Sequence, residues 1–418
     1  MHLIKRIFHD SFLKQTLGVF LIKIISSILG FTTTVLLVKK LGGEESSSYF
    51  FLIALVSVCT AITTFGSPDA ILKFSAINRG VGKLVRLVIR KTCMFAFSAS
   101  ILAAAVIYFV NNIELLSSEK LFVLTVFIIL PLASVNLVLS AALQGIGRVV
   151  YAMVASGVLQ SACVLSAIFL FELDYLGVVL ALAFGYFLSS IFSIYFLKID
   201  LNNKDKKHNL SGFKSTCKSM FVSQCVIQFN NHSAILLLGL LWVGTDISVM
   251  AIAMKLTTLI SFIIIAVNRV LAPQIASKYE KADIADLQLI ITKSARFMWL
   301  FCLPAILLII VFSKELLILI DQAYAEYSKV LIMLAIGQVV NVLTGNVGLL
   351  LSMTGHEKVQ KNILIVSLLV SLAMGFMLVP EYGPFGASIM MTTNIALVNL
   401  SSYFYVLTKL KLNTMKLL

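Results

Sequence analysis

The sequence predicts an all-α protein that crosses a membrane about twelve times, arranged as two six-helix lobes, and three observations predict it. Of the 418 residues, 60% are hydrophobic and only 12% charged, against about 25% charged in an ordinary soluble domain. The apolar residues fall in continuous runs of about 20, the length a helix needs to cross a hydrocarbon core. The basic residues collect in alternate gaps between those runs, as they do where charge orients membrane helices. A β-barrel would need short alternating strands instead, and a soluble multidomain chain would need polar linkers.

The apolar runs place helices at 15–38, 47–66, 88–110, 120–142, 150–171 and 176–197, then at 219–242, 247–272, 294–312, 329–353, 362–379 and 384–407. The first run follows a basic, amphipathic stretch (MHLIKRIFHDSFLK) and is too long for a cleaved signal, so it is expected to stay in the membrane. All six cysteines lie within or beside apolar runs with no CxxC pair, so they read as small buried hydrophobes.

With the amino terminus inside, the inner gaps hold 25 basic residues and the outer gaps five. Both termini of the multi-pass protein are therefore expected in the cytoplasm. The net charge of +14 is then mostly this topology signal, with room for anionic lipid contact but no call for nucleic acid.

The longest inner polar stretch, residues 198–218, divides the chain into an N-lobe (1–197) and a C-lobe (219–418). The halves resemble each other. An offset of 201 pairs Leu41-Gly42-Gly43-Glu44-Glu45 with Trp242-Val243-Gly244-Thr245-Asp246. Offsets near 208 pair Gln144-Gly145-Ile146-Gly147-Arg148 with Ser352-Met353-Thr354-Gly355-His356, and Asp174-Tyr175-Leu176-Gly177 with Tyr382 and Pro384-Phe385-Gly386. An even number of helices per repeat makes the repeats parallel, and a site between lobes is the usual product.

Three basic residues fall inside apolar runs: Lys23, Lys255 and Arg269. A cation at helix centre costs roughly 2.5–3.5 kcal/mol on insertion scales, so such residues face a cavity or a partner unless they snorkel. Arg269, near an inner helix end, admits both readings. Lys73, just past the second run, is similar and has Asp69 one turn away as a partner. Lys23 and Lys255 lie deeper, at similar depth by this reading, where snorkelling is harder. On helix 1, Lys23, Ser27, Gly30 and Thr34 share a stripe. Their repeat mates on helix 7, Gln224, Gln228 and Asn231, form another, for which interhelical hydrogen bonding is an equal alternative. His232 beside them reads as a packing residue.

A wet cavity lined by Lys and Arg, without an acid at membrane depth, selects an anion, with Lys a point charge for phosphate. It repels a cationic drug. No P-loop, nucleophile elbow or D-x-D appears, and Gly145-Ile146-Gly147 is a turn rather than a dinucleotide fingerprint. The reading is of a non-enzyme that uses no cofactor and no metal.

Several motifs carry a family resemblance. They are Leu37-Val38-Lys39-Lys40-Leu41-Gly42, Gln144-Gly145-x-Gly147-Arg148, Ala253-Met254-Lys255-Leu256, Leu271-Ala272-Pro273-Gln274-Ile275-Ala276, Thr354-Gly355-His356-Glu357-Lys358, and Pro380-Glu381-Tyr382-Gly383-Pro384-Phe385-Gly386-Ala387. In order and spacing the chain resembles the polysaccharide transporters of the multidrug/oligosaccharidyl-lipid/polysaccharide (MOP) exporter superfamily, especially O-antigen flippases of the Wzx type. The resemblance implies two lobes forming a V, a cavity lined by helices 1, 2, 7 and 8, and alternating access. It implies a substrate of undecaprenyl-pyrophosphate-linked oligosaccharide, such as an O-antigen repeat unit for lipopolysaccharide, with basic cavity residues receiving the pyrophosphate. The site residues expected are Lys23, Lys255, Arg269, Lys73, Gln224, Gln228 and Asn231. The polymerase and chain-length regulator of the same pathway are possible partners, beside membrane lipids. The chain has Met250 where the family's helix 8 usually carries a Tyr. Two other functions stand behind this one: a multidrug exporter of the same superfamily, and a polymerase or lipid-linked glycosyltransferase of the same pathway.

Overall fold

The computed structural model describes residues 11–77, 82–109, 119–171, 174–201, 210–242 and 246–416, and these contain no strand. The first helices are α1 (Ser11–Thr64), α2 (Ser67–Ile77), α3 (Gly82–Phe109), α4 (Glu119–Gly145), α5 (Val149–Leu170) and α6 (Tyr175–Leu201). Then come α7 (Leu210–Leu241), α8 (Asp246–Glu280), α9 (Ile284–Val311), α10 (Ser313–Ile318), α11 (Ser328–Thr344), α12 (Val347–Met353) and α13 (Glu357–Tyr405). Among the described residues, eight helical stretches are long and apolar enough to cross a membrane. Helices α3 and α7 carry two further predicted spans behind basic first turns.

Two helices are too long for one crossing. At 54 residues α1 would extend about 80 Å if straight, far beyond a hydrocarbon core of about 30 Å. It bends at Gly42 (φ 75°), and α13 bends at Gly383 (φ 53°), each dividing one helix into two predicted spans. The run predicted as one helix over 329–353 is instead broken. Gly345 (φ 72°) separates α11 from α12, and the freed carbonyl of Thr344 is taken by the Thr414 hydroxyl. The carboxy-terminal segment is thus part of the core, with Leu412 fully buried and the Asn413 N–H donating to Gln288 at 2.8 Å. Local hydropathy cannot show a break whose cause is a distant residue.

The internal repeat reappears atom by atom. The Arg148 N–H donates to the Leu143 carbonyl (3.0 Å) and the His356 N–H to the Leu351 carbonyl (2.8 Å), both 208 residues apart, with Gly147 and Gly355 at φ 87° and 81°. These are matching helix ends closed by a left-handed glycine. At the opposite ends, Glu45 accepts from the Tyr175 N–H at 2.9 Å. Its repeat mate Asp246 accepts from the Trp242 indole and the Tyr327 hydroxyl. The Trp242 ring packs on Gly383, where a Cβ would meet it at 2.8–3.2 Å.

The chain divides into two compact units, one running up to Gln228 and one from Phe229 onward. The basic stretch 198–218 is helical at both ends, in α6 and α7, and residues 202–209 lie outside the described ones. In the first unit, Ile71 of α2, Val85 and Val88 of α3, Leu139 and Leu143 of α4, Leu197 of α6 and Phe213 of α7 form one buried cluster. Gly145 lets α4 touch α2, since a Cβ there would lie 2.6 Å from Ser75 Cβ. In the second unit one cluster joins Leu271, Ile275, Leu287 and Leu350 to Val406 and Leu412. Another joins Ile260, Met298, Cys302 and Ala335.

Candidate functional site

Lys23 is half-buried on α1. The hydroxyls that seemed to extend its stripe are turned onto their own helix: Ser27 donates to the Lys23 carbonyl and Thr34 to the Gly30 carbonyl, both at 2.8 Å. Such back-bonding satisfies a hydroxyl in an apolar setting without a cavity, and Thr34 is buried. Lys23 itself lies nineteen residues from the Gly42 bend, about 28 Å along the helix.

Lys255 differs in both respects. Its side chain is exposed on α8, nine residues or about 13 Å from the helix start at Asp246. Counted from the bend at Gly42 and from the start at Asp246, Lys23 lies nineteen residues in and Lys255 nine. Lys255 lies within electrostatic range of His232 on α7. His232 is nine residues from the α7 end at Leu241, the same depth counted from the same side. Asn231 next to it is exposed, while Asn230 accepts a hydrogen bond from the Asn394 side chain on α13. In the second unit the Lys255 ammonium of α8 therefore lies near the His232 imidazole of α7, and Asn230 of α7 is tied to α13.

Gln224 does not join that group. In the first unit its side chain hydrogen-bonds Asp69 of α2, and its carbonyl oxygen is buried without a partner. Burial pushes the Asp69 carboxyl above the usual carboxylate range, and the Gln224 hydrogen bond draws it part of the way back. Gln228 is half-buried and Lys73 exposed. Arg269 belongs to α8, but its side chain lies outside the described residues. Leu237 and Leu238 are buried, and Leu237 lies against Gly375 of α13.

The sequence reading missed two features. Asp69 looked like a helix-end acid paired with Lys73, and its role appears only when α7 is folded against α2. The Gln160 amide donates to the Ala155 carbonyl (2.7 Å), Asn136 Oδ1 and Ser189 Oγ (both 3.3 Å), a buried network beside a π-helical segment, Val154–Val158. The signal was available, since a lone amide in the middle of an apolar run demands a partner. The close approach of Gly157 to Ser26 of α1 needs the same π segment.

None of these groups pairs a nucleophile with a base. The cluster around Lys255 can attract and hydrogen-bond an anion, and a cation would be repelled there.

A family profile described as "Polysaccharide biosynthesis protein" matches residues 12–278. Comparison with curated protein sequences returns no significant match. Among solved structures, an inward-facing multidrug resistance MATE family transporter of the MOP superfamily is similar, with TM-score 0.73 and 14% identity over 91% of this chain and 93% of that one. The lipid II flippase MurJ, in an inward closed conformation, is similar with TM-score 0.74 and 14% identity over 94% and 87%. A MOP superfamily transporter from Pyrococcus furiosus matches with TM-score 0.59 and 12% identity over 93% of each chain. At such identities the likeness is one of fold. With the profile covering well over half its length, the chain belongs to the polysaccharide biosynthesis protein family and has the fold of the MOP superfamily transporters.

Proposed function

We propose that this protein is a flippase, moving an undecaprenyl-pyrophosphate-linked oligosaccharide across the bacterial inner membrane by alternating access, with both termini in the cytoplasm. The observation that carries the reading is Lys255, an exposed ammonium about 13 Å along α8 and within electrostatic range of His232. A lysine at that depth facing lipid would cost roughly 2.5–3.5 kcal/mol, so it serves a water-filled path. An ammonium there replaces water that a pyrophosphate sheds on leaving the aqueous phase. The family and the lipid-flippase fold relative support the same substrate class. A multidrug exporter would want an acid in place of this lysine.

Lys23 and Lys255 then act on the phosphates in succession, Lys23 on entry from the inner side and Lys255 after it. Arg269 and Lys73 recruit the anion at the inner surface, and Gln228 and Asn231 contact the sugars. Gln224, held by Asp69, contributes by fixing α7. The repeat unit is an O-antigen or similar glycan, handed on to a polymerase and its chain-length regulator.

The test is a deletion strain. Lipid-linked single repeat units should accumulate on the inner leaflet, and the wild-type gene should restore surface glycan. Export of single units by the deletion strain would assign the protein to polymerisation instead. Drug hypersensitivity with normal glycan would assign it to multidrug export.

A further inference from the structure

The first unit holds a cavity of about 720 Å³ that the proposed transport path does not use. It is bounded by α3, the amino-terminal part of α7 and the bend between α1 and α2. On α3 its wall runs from Leu87 to Leu102, and within it Lys91, Phe95, Ser98 and Leu102 form one stripe at helical spacing. From Lys91 to Leu102 the stripe runs eleven residues, about 16 Å, against about 15 Å for the hydrocarbon of one leaflet. The rim facing it carries Lys214 and Lys218, one turn apart on α7. Lys91, Lys214 and Lys218 are all exposed, and among the described residues no carboxylate lines the cavity. At the neck, Phe65 holds a left-handed backbone (φ 48°), uncommon for a bulky residue, and stacks on Phe221 at 4.4 Å between ring centroids. Its ring is thereby kept on the wall of the cavity although half of it stays exposed.

We propose that this cavity is a binding site for one anionic phospholipid of the leaflet on the lysine-rich side. The three ammoniums hold the headgroup phosphate, and one acyl chain lies along the α3 stripe to end against Leu102. A convex helix surface is wetted by any lipid. A concave site with three cations and no anion selects negative charge, as basic pockets between membrane helices do. The matching length is what commits the occupant to a leaflet lipid: a free phosphate would leave the apolar wall empty, and a polyprenyl chain is far longer than the stripe. The site spans α3, α7 and the Phe65–Gly66 bend.

The test is retention of lipid by the full-length protein, released from nanodiscs of equal phosphatidylglycerol and phosphatidylethanolamine and weighed by native mass spectrometry. Wild-type protein should keep one phosphatidylglycerol under activation that strips the other lipids. The Lys91→Gln/Lys214→Gln/Lys218→Gln variant should lose at least about tenfold of that retention. The control Lys278→Gln/Lys281→Gln/Lys293→Gln should keep it. Ala99→Trp, which fills the cavity and leaves the lysines, should lose it too, with unchanged elution on size exclusion showing that the variant folds. Soluble glycerol phosphate should not compete. Equal retention by the triple variant, equal retention of phosphatidylethanolamine, or displacement by undecaprenyl phosphate would each overturn the proposal. None of these readouts depends on transport, so the flippase reading stands or falls separately.

Discussion

The side-chain amide of Gln224 on α7 hydrogen-bonds the Asp69 carboxylate on α2, next to a bend where Gly66 has φ 68°. Within the first unit this contact joins the helix that follows the second span to the helix that opens the seventh. The acid that seemed a surface feature is a structural partner, and the amide that seemed a ligand is its donor.

Asp69 gives stability a pH dependence of definite sign. Its folded-state carboxyl is raised above the ordinary value near 3.8, so between those two values the native state holds more protons than the unfolded one. Stability should therefore fall as pH rises through that window. Thermal unfolding of the detergent-solubilised protein from pH 4 to 7 should show the decline, and Asp69→Asn should flatten it. A wild-type curve that rises across the window would contradict the burial of this group. Gln224→Leu should cost about 1 kcal/mol at pH 7, the value of one hydrogen bond.

Gly66 and Gly42 offer a matched comparison. Both have positive φ, but a Cβ on Gly42 meets nothing within 4 Å, whereas one on Gly66 would lie 2.7 Å from the Phe221 N. Gly42→Ala should cost only its backbone penalty, about 1–3 kcal/mol, since φ 75° with ψ −179° is a region essentially reserved for glycine. Gly66→Ala should cost at least about 2 kcal/mol more, because α7 must move away. Melting temperatures of the two variants, measured side by side, check the order.

Lys255 should be intolerant of neutral replacement. Lys255→Gln should reduce surface glycan at least about tenfold with normal membrane insertion, since removing a cation from an apolar helix eases insertion. Lys255→Arg should retain part of the activity, the charge surviving without the point-charge geometry, and Lys255→Glu should be worse than Gln. Lys23→Gln should follow the same direction. Wild-type glycan from well-expressed Lys255→Gln protein would reject the anion path.

Orientation is checked by thiol labelling in a background lacking the six native cysteines. Exposed positions are required, which excludes Ser46 and Tyr324, both buried. Glu44→Cys and Ala323→Cys should react with an impermeant reagent in intact cells, and Ala282→Cys only after permeabilisation. Labelling of Ala282→Cys in intact cells would invert the topology.

The same probe grades the α7 stripe. Asn231→Cys should react fastest, Gln228→Cys more slowly and Gln224→Cys slowest, following exposure and the Asp69 contact. Uniform protection would favour interhelical hydrogen bonding for all three.

Composition and periodicity by themselves determined the helical class, the positions of nearly all the membrane segments and the internal repeat. Each of these depends on near neighbours in the chain: twenty apolar residues make a span, and a Gly at the same place in both halves makes the same helix end, as at Gly147 and Gly355. Only the tertiary structure decided which polar residues work together. A stripe on a wheel places Lys23, Ser27 and Thr34 on one side, but the hydroxyls found their own carbonyls first. Gln224 was taken by Asp69, 155 positions earlier in the sequence. Lys255 found His232 because α7 and α8 turn back on each other. The break at Gly345 has its partner in Thr414. In an apolar surrounding, a polar group takes whichever partner packing brings within reach, and that partner is set by the fold of the whole unit rather than by the residues beside it.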